Sequence, residues 1–505
     1  MANPSPLLED ATLERQSWFT RPLAPWWCVV GWCVATGVFY GFVAIPGGPA
    51  VGDAWESIYA TWAVSHWQIS CMYPPHLPAI TTFTAPVYPL FSGGVGALTR
   101  IGHGVPFPSG SALGHGCSRA VPTMVHWSQA SGALWPTVRT GYLSWIFLLA
   151  GLIWLLRATA RGRTGWEPTI LVMVAALPPV WTSVEMYFHP QDLVALGFAL
   201  AALGCALRSQ WAGAGVLIAL AVFSQQYTLL VAVPLLVVAP STRKVTYALA
   251  AFVTAAIVAV PILVVNEGRA TRFLFLGSGD AAGAGGTVVW EFHLHGAPLV
   301  LLSRIAPLVL SFVVAWYAVH RKGRAVLEPA PLMALIAVSF SLRLVFEQNI
   351  FGYYFMALAV SLVVLDAISG RIRESLVAWL AMVTLVFTEA YLFVWRQPWG
   401  QDARRWIPVI VMIGALTMIL RAVRRHRVGM NVLLWAAAVV CALIVWPVSS
   451  DPLHYRSTPV TWLWQLILVA IGVALAAHPL WVLPQEGRAS DVPGTEPEVV
   501  PAGSR

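Results

Sequence analysis

The chain has 505 residues, of which 58% are hydrophobic and only 10% are charged, and its mean hydropathy is +0.72. Soluble globular proteins carry roughly 25% charged residues, so this composition excludes an ordinary soluble protein and predicts a polytopic membrane protein. The formal net charge of +8 is spread over many connecting segments instead of one patch, which predicts contact with membrane lipids and argues against a nucleic acid partner.

The chain begins with a polar segment, 1–25, that lacks the small-residue cleavage site of a signal peptide and is expected to be a cytoplasmic tail. A multi-helix transmembrane domain is expected over 26–483, where apolar runs approach the ~20 residues needed to cross a bilayer. The runs are 26–45, 138–156, 168–184, 191–207, 212–223, 227–239, 246–265, 297–319, 330–346, 352–368, 375–394, 406–420, 430–448 and 461–482. We therefore expect an all-α fold with about 13–14 transmembrane helices, and a disordered cytoplasmic tail over 484–505.

Basic residues predict the orientation of these helices. With the N-terminus placed inside, every predicted inner connection carries arginine or lysine. These residues are Arg157, Arg161 and Arg163, then Arg208, Arg243 and Lys244, then Arg321, Lys322 and Arg324, then Arg371 and Arg373, and finally Arg421, Arg424, Arg425 and Arg427. Because lysine and arginine are enriched in cytoplasmic loops, we expect a multi-pass protein of the cell membrane, with both termini in the cytoplasm and the active face outside.

The first extracytoplasmic loop, 46–137, is too long for a plain linker and is expected to contain amphipathic helices lying on the membrane. Residues 54–68 suit such a helix, because their large apolar side chains share one face. Cys71 and Cys117 both lie in this loop, in what would be an oxidising compartment, and we expect them to form a disulfide. Two unpaired thiols are the alternative, since connectivity does not follow from sequence.

Two carboxylates open this loop. Asp53 lies at the outer end of the first apolar run, and Glu56 follows one helical turn later. Asp53 is a candidate for chemistry at the membrane surface. It is also a good N-cap for the helix that follows, and the two roles are compatible.

A second polar group, between the third and fourth apolar runs, includes His189 and Asp192. Ionisable side chains at a membrane interface are candidates for function. The alternative is a capped turn, with Pro190 starting the helix and Asp192 facing its free N–H groups.

The polar residues Ser224, Gln225 and Gln226 separate two short apolar runs. The runs form either two half-length helices or one kinked helix, and the amides either line a cavity or join helices to each other. Trp290, in a later outer loop, suits stacking on a sugar ring, and an interfacial aromatic is the alternative.

Arg343 lies in an apolar run and requires an anion. Glu347, four residues later on the same helical face, is one possible partner, and a lipid phosphate is the other. No metal site is expected, because zinc-like cysteine spacing and the HExxH motif are absent from the sequence, as are a Walker A loop, a GxSxG elbow and CxxC.

Several of these motifs together resemble the integral-membrane glycosyltransferases of the C superfold. They are Gly52-Asp53 with Tyr59, Tyr73-Pro74-Pro75, His189-Pro190-Gln191-Asp192, the run Ala212 to Leu217, Ser224-Gln225-Gln226 and Pro234. Among these enzymes the chain resembles the actinobacterial mannosyl- and arabinofuranosyltransferases that use polyprenyl-phosphate sugars, including the phosphatidylinositol mannoside mannosyltransferase family.

The resemblance implies an inverting transfer of a sugar, with mannose favoured, from polyprenyl phosphate to a glycolipid or polysaccharide acceptor of the cell envelope. It implies that Asp53 is the general base and that no cofactor is needed beyond the lipid-linked donor. The residues then expected to bind substrate are Glu56, Tyr59, His189, Asp192, Gln225, Gln226, Trp290 and Arg343. Relatives often carry a lysine at the position of Gln225, so here Arg343, or a cluster at 396–405, would neutralise the donor phosphate.

Three alternatives stay open. One is an arabinofuranosyltransferase of the same fold, another is a transporter or flippase for lipid-linked sugars, and the third is a scaffold without enzymatic activity. Transporters often carry charges at the membrane midplane and inverted repeats, whereas the charges here gather toward one side.

Overall fold

The computed structural model describes residues 60–61, 63–69, 72, 85–99, 141–159, 167–175, 177, 180, 183–184, 188–265, 294, 297–347 and 352–368. All regular elements in these ranges are helices, without a β-strand, which confirms the all-α prediction for this part of the chain. The two tails, the first apolar run and the runs after 375 lie outside the described residues.

We number the α-helices of the described ranges α1 to α10. They are α1 Val87–Thr99, α2 Ser144–Thr159, α3 Glu167–Ala175, α4 Pro190–Leu207, α5 Trp211–Val222, α6 Leu229–Val238, α7 Ser241–Val265, α8 Ala306–Lys322, α9 Pro329–Phe346 and α10 Met356–Ile368. A helical turn, Ala297–Val300, and a π-helical segment, Leu301–Ile305, precede α8, and 3₁₀ turns occur at Gln226–Thr228, Gly323–Leu327 and Gly352–Phe355. Helices α2 to α10 overlap the predicted apolar runs between 138 and 368, with ends that differ by several residues; α8, for example, begins at Ala306 in a run that starts at 297.

Four helical segments in the described ranges are long and apolar enough to cross a membrane: Pro190–Leu207, Ser241–Val265, Leu301–Leu327 and Pro329–Phe346. Helix α7 presents large apolar side chains outward, with Phe252 71% exposed and Ile257 68% exposed. A face of this kind is unfavourable in water and suits a hydrocarbon surrounding.

Glycines bring α2 and α4 close together. A Cβ added to Gly197 would overlap the backbone of Phe147, and one added to Gly151 would overlap the backbone of Gly197. Further along, a Cβ at Gly204 would lie 3.2 Å from the Leu155 Cα. The two helices therefore run parallel, and small residues permit an approach that larger side chains would prevent.

The described helices have a polar end and a basic end. On α4, Asp192 lies in the first turn, whereas Arg208, whose guanidinium stacks 4.1 Å from the Trp154 ring, follows the last turn. These positions are ~24 Å apart at 1.5 Å per residue. The remaining basic residues of this end are Arg157 on α2, Arg243 and Lys244 on α7, and Arg321, Lys322 and Arg324 at the α8–α9 connection. The basic connections that alternate along the chain thus lie at the same end of the packed helices.

Part of the first loop packs inside the bundle. The Val87 N–H donates to the Phe223 carbonyl at 3.1 Å, and the Phe91 ring meets the Phe147 ring edge-on at 4.8 Å. Thr61 and Ser92 share a buried hydrogen bond of 2.7 Å. Residues 60–61 and 63–65 are helical, as predicted, but they are buried, Thr61 and Ser65 included, which contradicts a position on the membrane surface for them. Trp67 is 80% exposed.

Near residue 225 the chain forms two separate short helices and not one kinked helix. Helix α5 ends at Val222, a 3₁₀ turn covers Gln226–Thr228, and α6 begins at Leu229. The Ser224 hydroxyl donates to the Leu220 carbonyl at 2.8 Å and so satisfies a carbonyl at the end of α5.

Candidate functional site

The start of α4 supplies the centre of the polar end. Pro190 occupies the first turn of the helix, where a missing N–H is harmless. Phe188, two residues earlier, has a φ of 51°, which for a bulky residue costs about 1–3 kcal/mol. Gly141 provides space for the Phe188 ring, since a Cβ there would lie 2.9 Å from it. This turn directs His189, Gln191 and Asp192 inward, and all three are buried.

Both ring nitrogens of His189 have partners. Gln191 Nε2 lies 3.0 Å from Nδ1, and the Tyr353 hydroxyl lies 3.1 Å from Nε2. The Tyr353 ring also stacks on the imidazole, with centroids 4.4 Å apart. With the amide donating to Nδ1, a neutral imidazole carries its proton on Nε2 and donates it to the tyrosine oxygen. His189 therefore connects the start of α4 to the segment before α10.

Asp192 is the least satisfied polar group of this end. The Tyr227 hydroxyl donates to its main-chain carbonyl at 3.0 Å, and the Gln225 side chain hydrogen-bonds its carboxylate. Within the described part of the chain, Asp192 Oδ1 and Gln191 Oε1 are buried without a hydrogen-bond partner. A buried acceptor left unpaired costs about 1–3 kcal/mol, and more when it is charged. Two such atoms on adjacent residues indicate that donors from elsewhere complete the site.

Arg343 approaches the same place from the end of α9. Its guanidinium carbon lies 4.7 Å from the ring centroid of Tyr227 and 4.7 Å from that of Tyr354. Its Nε donates to Glu347 Oε2 at 3.0 Å, so the structure has the ion pair that sequence analysis gave as one alternative. Arg343 is also near enough to Asp192 for their charges to attract.

The structure thus brings together four of the residues that sequence analysis singled out. His189, Asp192, Gln225 and Arg343 come from three separate segments of the chain and meet at one end of the helices. Gln226 begins the 3₁₀ turn, where its N–H donates to Gln225 Oε1 at 3.3 Å. The other predicted site residues lie outside the described residues: Asp53, Glu56, Tyr59, Trp290, Cys71 and Cys117.

Sequence reasoning missed Arg304, whose Nη1 lies 3.4 Å from Glu347 Oε1. The signal was present, because Arg304 is a charged residue inside the apolar run 297–319, and such residues tend to mark functional positions.

The sequence matches no protein-family model and no curated protein. Within the described ranges there is also no group of three or more histidine, cysteine, aspartate or glutamate side chains able to hold a metal ion. The function is therefore inferred from the chemistry of the cluster itself. It combines a buried carboxylate, an amide, an imidazole and a guanidinium with three tyrosine rings, a set that suits a ligand with both hydroxyl and anionic groups.

Proposed function

We propose that the protein is a polytopic membrane glycosyltransferase. It moves a sugar, with mannose favoured over arabinofuranose, from a polyprenyl-phosphate donor to a glycolipid or polysaccharide acceptor outside the cell. The observation that supports this most is the unpaired Asp192 Oδ1 beside Arg343, at the end of the helices away from the basic connections. Sugar hydroxyls donate hydrogen bonds to a carboxylate, and a guanidinium binds phosphate.

The proposed reaction follows from the resemblance and from charge balance. Asp53 removes the proton from an acceptor hydroxyl, whose oxygen forms a bond to the anomeric carbon from the face opposite the phosphate. The bond from the anomeric carbon to the phosphate oxygen breaks, and its electron pair leaves with the polyprenyl phosphate. The anomeric centre is inverted, and donors such as Arg343 stabilise the charge that develops on the leaving phosphate.

The site's position suits a donor with a membrane-bound tail. The cluster lies at an end of apolar helices, and α7 carries an exposed apolar face that suits lipid. The first loop contributes as well, since α1 begins beside Phe223, two residues from Gln225.

The test is transfer by the purified protein in proteoliposomes. A polyprenyl-phosphate donor with labelled mannose is supplied together with extracted envelope glycolipids, and a parallel reaction uses the arabinofuranose donor. We expect label in the glycolipid fraction and release of polyprenyl phosphate, with mannose preferred. Movement of intact donor across the bilayer without sugar transfer would instead favour a flippase and contradict the proposal.

A further inference from the structure

Three charged side chains form a compact group at the polar end. The Glu347 carboxylate is buried, and it bridges two arginines, with Arg343 at 3.0 Å from one oxygen and Arg304 at 3.4 Å from the other. Arg343 comes from the last turn of α9, and Arg304 from the π-helical segment that precedes α8. Glu347 thus fills the space between two cations that belong to different elements.

The aromatic neighbours restrict how Arg343 can bind anything further. The rings of Tyr227 and Tyr354 each lie 4.7 Å from the guanidinium carbon and occupy part of the space around it, so further acceptors are expected in its plane, where the N–H groups point. The hydrogen bond from Nε to Glu347 is the one that the described residues give this guanidinium. Its terminal nitrogens therefore stay available for an in-plane acceptor, such as a phosphate oxygen.

The two ion pairs of Glu347 differ in strength. The Arg304 side chain is 42% exposed and the Arg343 side chain 15% exposed, and the Arg304 contact is also the longer one. The Arg304–Glu347 pair is the longer one and its arginine is partly exposed, so it is the weaker of the two and the more easily exchanged for another anion. The Arg343–Glu347 pair, between neighbouring turns of one helix and better shielded, is expected to persist.

We propose that Arg304 and Arg343 form a phosphate-binding site. In the unliganded protein the Glu347 carboxylate occupies this site, and a bound phosphate displaces it from Arg304. This rests on the proposed function for the identity of the phosphate, namely that of the isoprenoid lipid. The donor is a phosphodiester with one negative charge, and the product is a monoester that carries up to two. Release of Arg304 from Glu347 supplies the second positive charge when it is needed.

In this arrangement Arg343 has different neighbours toward α4 and toward α8. Asp192, with its unpaired Oδ1, lies on the side of the start of α4, and Glu347 and Arg304 lie on the side of the α8 and α9 ends. In this proposal the donor's hydroxyls are directed toward Asp192 and its phosphate toward the arginines. Arg343 is a binding residue in this arrangement, and Glu347 regulates access to it.

The test measures binding and not transfer, so its failure is distinct from failure of the proposed reaction. The protein in nanodiscs is titrated with farnesyl phosphate, and farnesol, which lacks the phosphate, is the matched ligand. Glu347→Gln removes the competing charge, so we expect farnesyl phosphate to bind at least roughly fivefold more tightly, the effect of about 1 kcal/mol between unit charges near water. Farnesol binding should not change.

Arg304→Gln provides a second measurement, because this exposed side chain tolerates replacement even if the buried Glu347 does not. We expect farnesyl phosphate to bind roughly fivefold more weakly to this variant, again with farnesol unchanged. Arg324→Gln, an exposed arginine at the basic end, is the control and should match the wild type. Phosphatidylglycerol in the nanodisc separates the two sources of phosphate, and we expect it not to displace farnesyl phosphate.

Three results would overturn the assignment. Glu347→Gln with unchanged or weaker affinity would mean that the carboxylate orients the arginines instead of competing with the ligand. Unchanged binding of farnesyl phosphate by Arg304→Gln would mean that Arg304 is not part of the phosphate-binding site. Displacement by phosphatidylglycerol would mean that the arginines bind bilayer headgroups.

Discussion

The Asp192 carboxylate is subject to opposing effects in the unliganded protein. Its position in the first turn of α4 is favourable by about 0.3–1 kcal/mol through the helix dipole. Its burial with one unpaired oxygen costs about 1–3 kcal/mol. Asp192→Asn removes the unpaired charge but also its attraction to Arg343, so we predict an unfolding temperature close to that of the wild type. The same variant should lose most of the stabilisation that the lipid-linked donor gives the wild type.

Ser339→Ala is the matched control for this measurement. Ser339 shares a buried hydrogen bond of 2.7 Å with Ser311, so its loss removes a satisfied pair and should destabilise by about 1 kcal/mol without affecting donor binding. A clear fall in the unfolding temperature of Asp192→Asn, comparable to that of Ser339→Ala, would show that Asp192 has a structural role.

The residues of the cluster were partly predictable. His189, Asp192, Gln225 and Arg343 stood out because polar groups are rare in apolar runs. That these side chains lie close together was not predictable, because contacts such as that of Tyr353 with His189 join positions far apart in the chain. Arg304 lies inside an apolar run as Arg343 does, but its pairing with Glu347 is a contact between separate segments, which the sequence does not show.

At the scale of the elements, the α2–α4 contact makes a sharp prediction. Gly197→Ala places a methyl group against the Phe147 backbone, and neither backbone can move without separating the helices. We expect a loss of about 1–3 kcal/mol in the free energy of unfolding, as for other overpacked cores. Thermal unfolding in detergent, followed by tryptophan fluorescence, would measure it.

Gly213→Ala in α5 is the control, since its nearest added contact is the Cys205 sulfur at an ordinary 3.5 Å. Replacing glycine by alanine inside a helix ordinarily gains about 0.5–1 kcal/mol, so this variant should be neutral or slightly stabilised. Equal effects of the two substitutions would contradict the close-approach argument.

The helices themselves follow from hydrophobicity and a few local signals. Pro190 begins α4, as one alternative of the sequence analysis had it, and Pro329 begins α9. Basic residues stand at the expected ends of α4 and α8, with Arg208 after α4 and Arg321 and Lys322 in the last turn of α8. Helix α1 was not predicted, because its sequence contains a proline and three glycines, which disfavour a helix in isolation. Tertiary contacts stabilise it, with Tyr88 and Ser92 fully enclosed by neighbouring segments.

At the scale of the whole molecule, the separation of basic and polar ends predicts the topology. In a background with Cys71 and Cys117 replaced by serine, Gly110→Cys should react with an impermeant thiol reagent added outside intact cells. Arg324→Cys, at the α8–α9 connection, should react only after the membrane is opened. Labelling of residue 110 only from the cytoplasmic side would invert the orientation and remove the basis for an external active site.

The first loop carries a further prediction, a disulfide between Cys71 and Cys117. Closing a loop of this length contributes about 4 kcal/mol in the chain-entropy model. A mass spectrum of the unreduced, alkylated protein should show a linked pair of peptides. Alkylation of both thiols without reduction would refute it.

The central claim is sugar transfer with Asp53 as the base, and Asp53→Asn tests it most directly. Asparagine keeps the shape and most of the capping ability of aspartate but accepts no proton. We predict that proteoliposomes with this variant bind the polyprenyl-phosphate mannose donor normally and transfer mannose about 10²–10⁴-fold more slowly than the wild type. Glu56→Gln and Asp192→Asn should retain more activity than Asp53→Asn. Transfer by Asp53→Asn at the wild-type rate would contradict the account, leaving Asp53 as a helix cap and moving the base to Asp192 or Glu56.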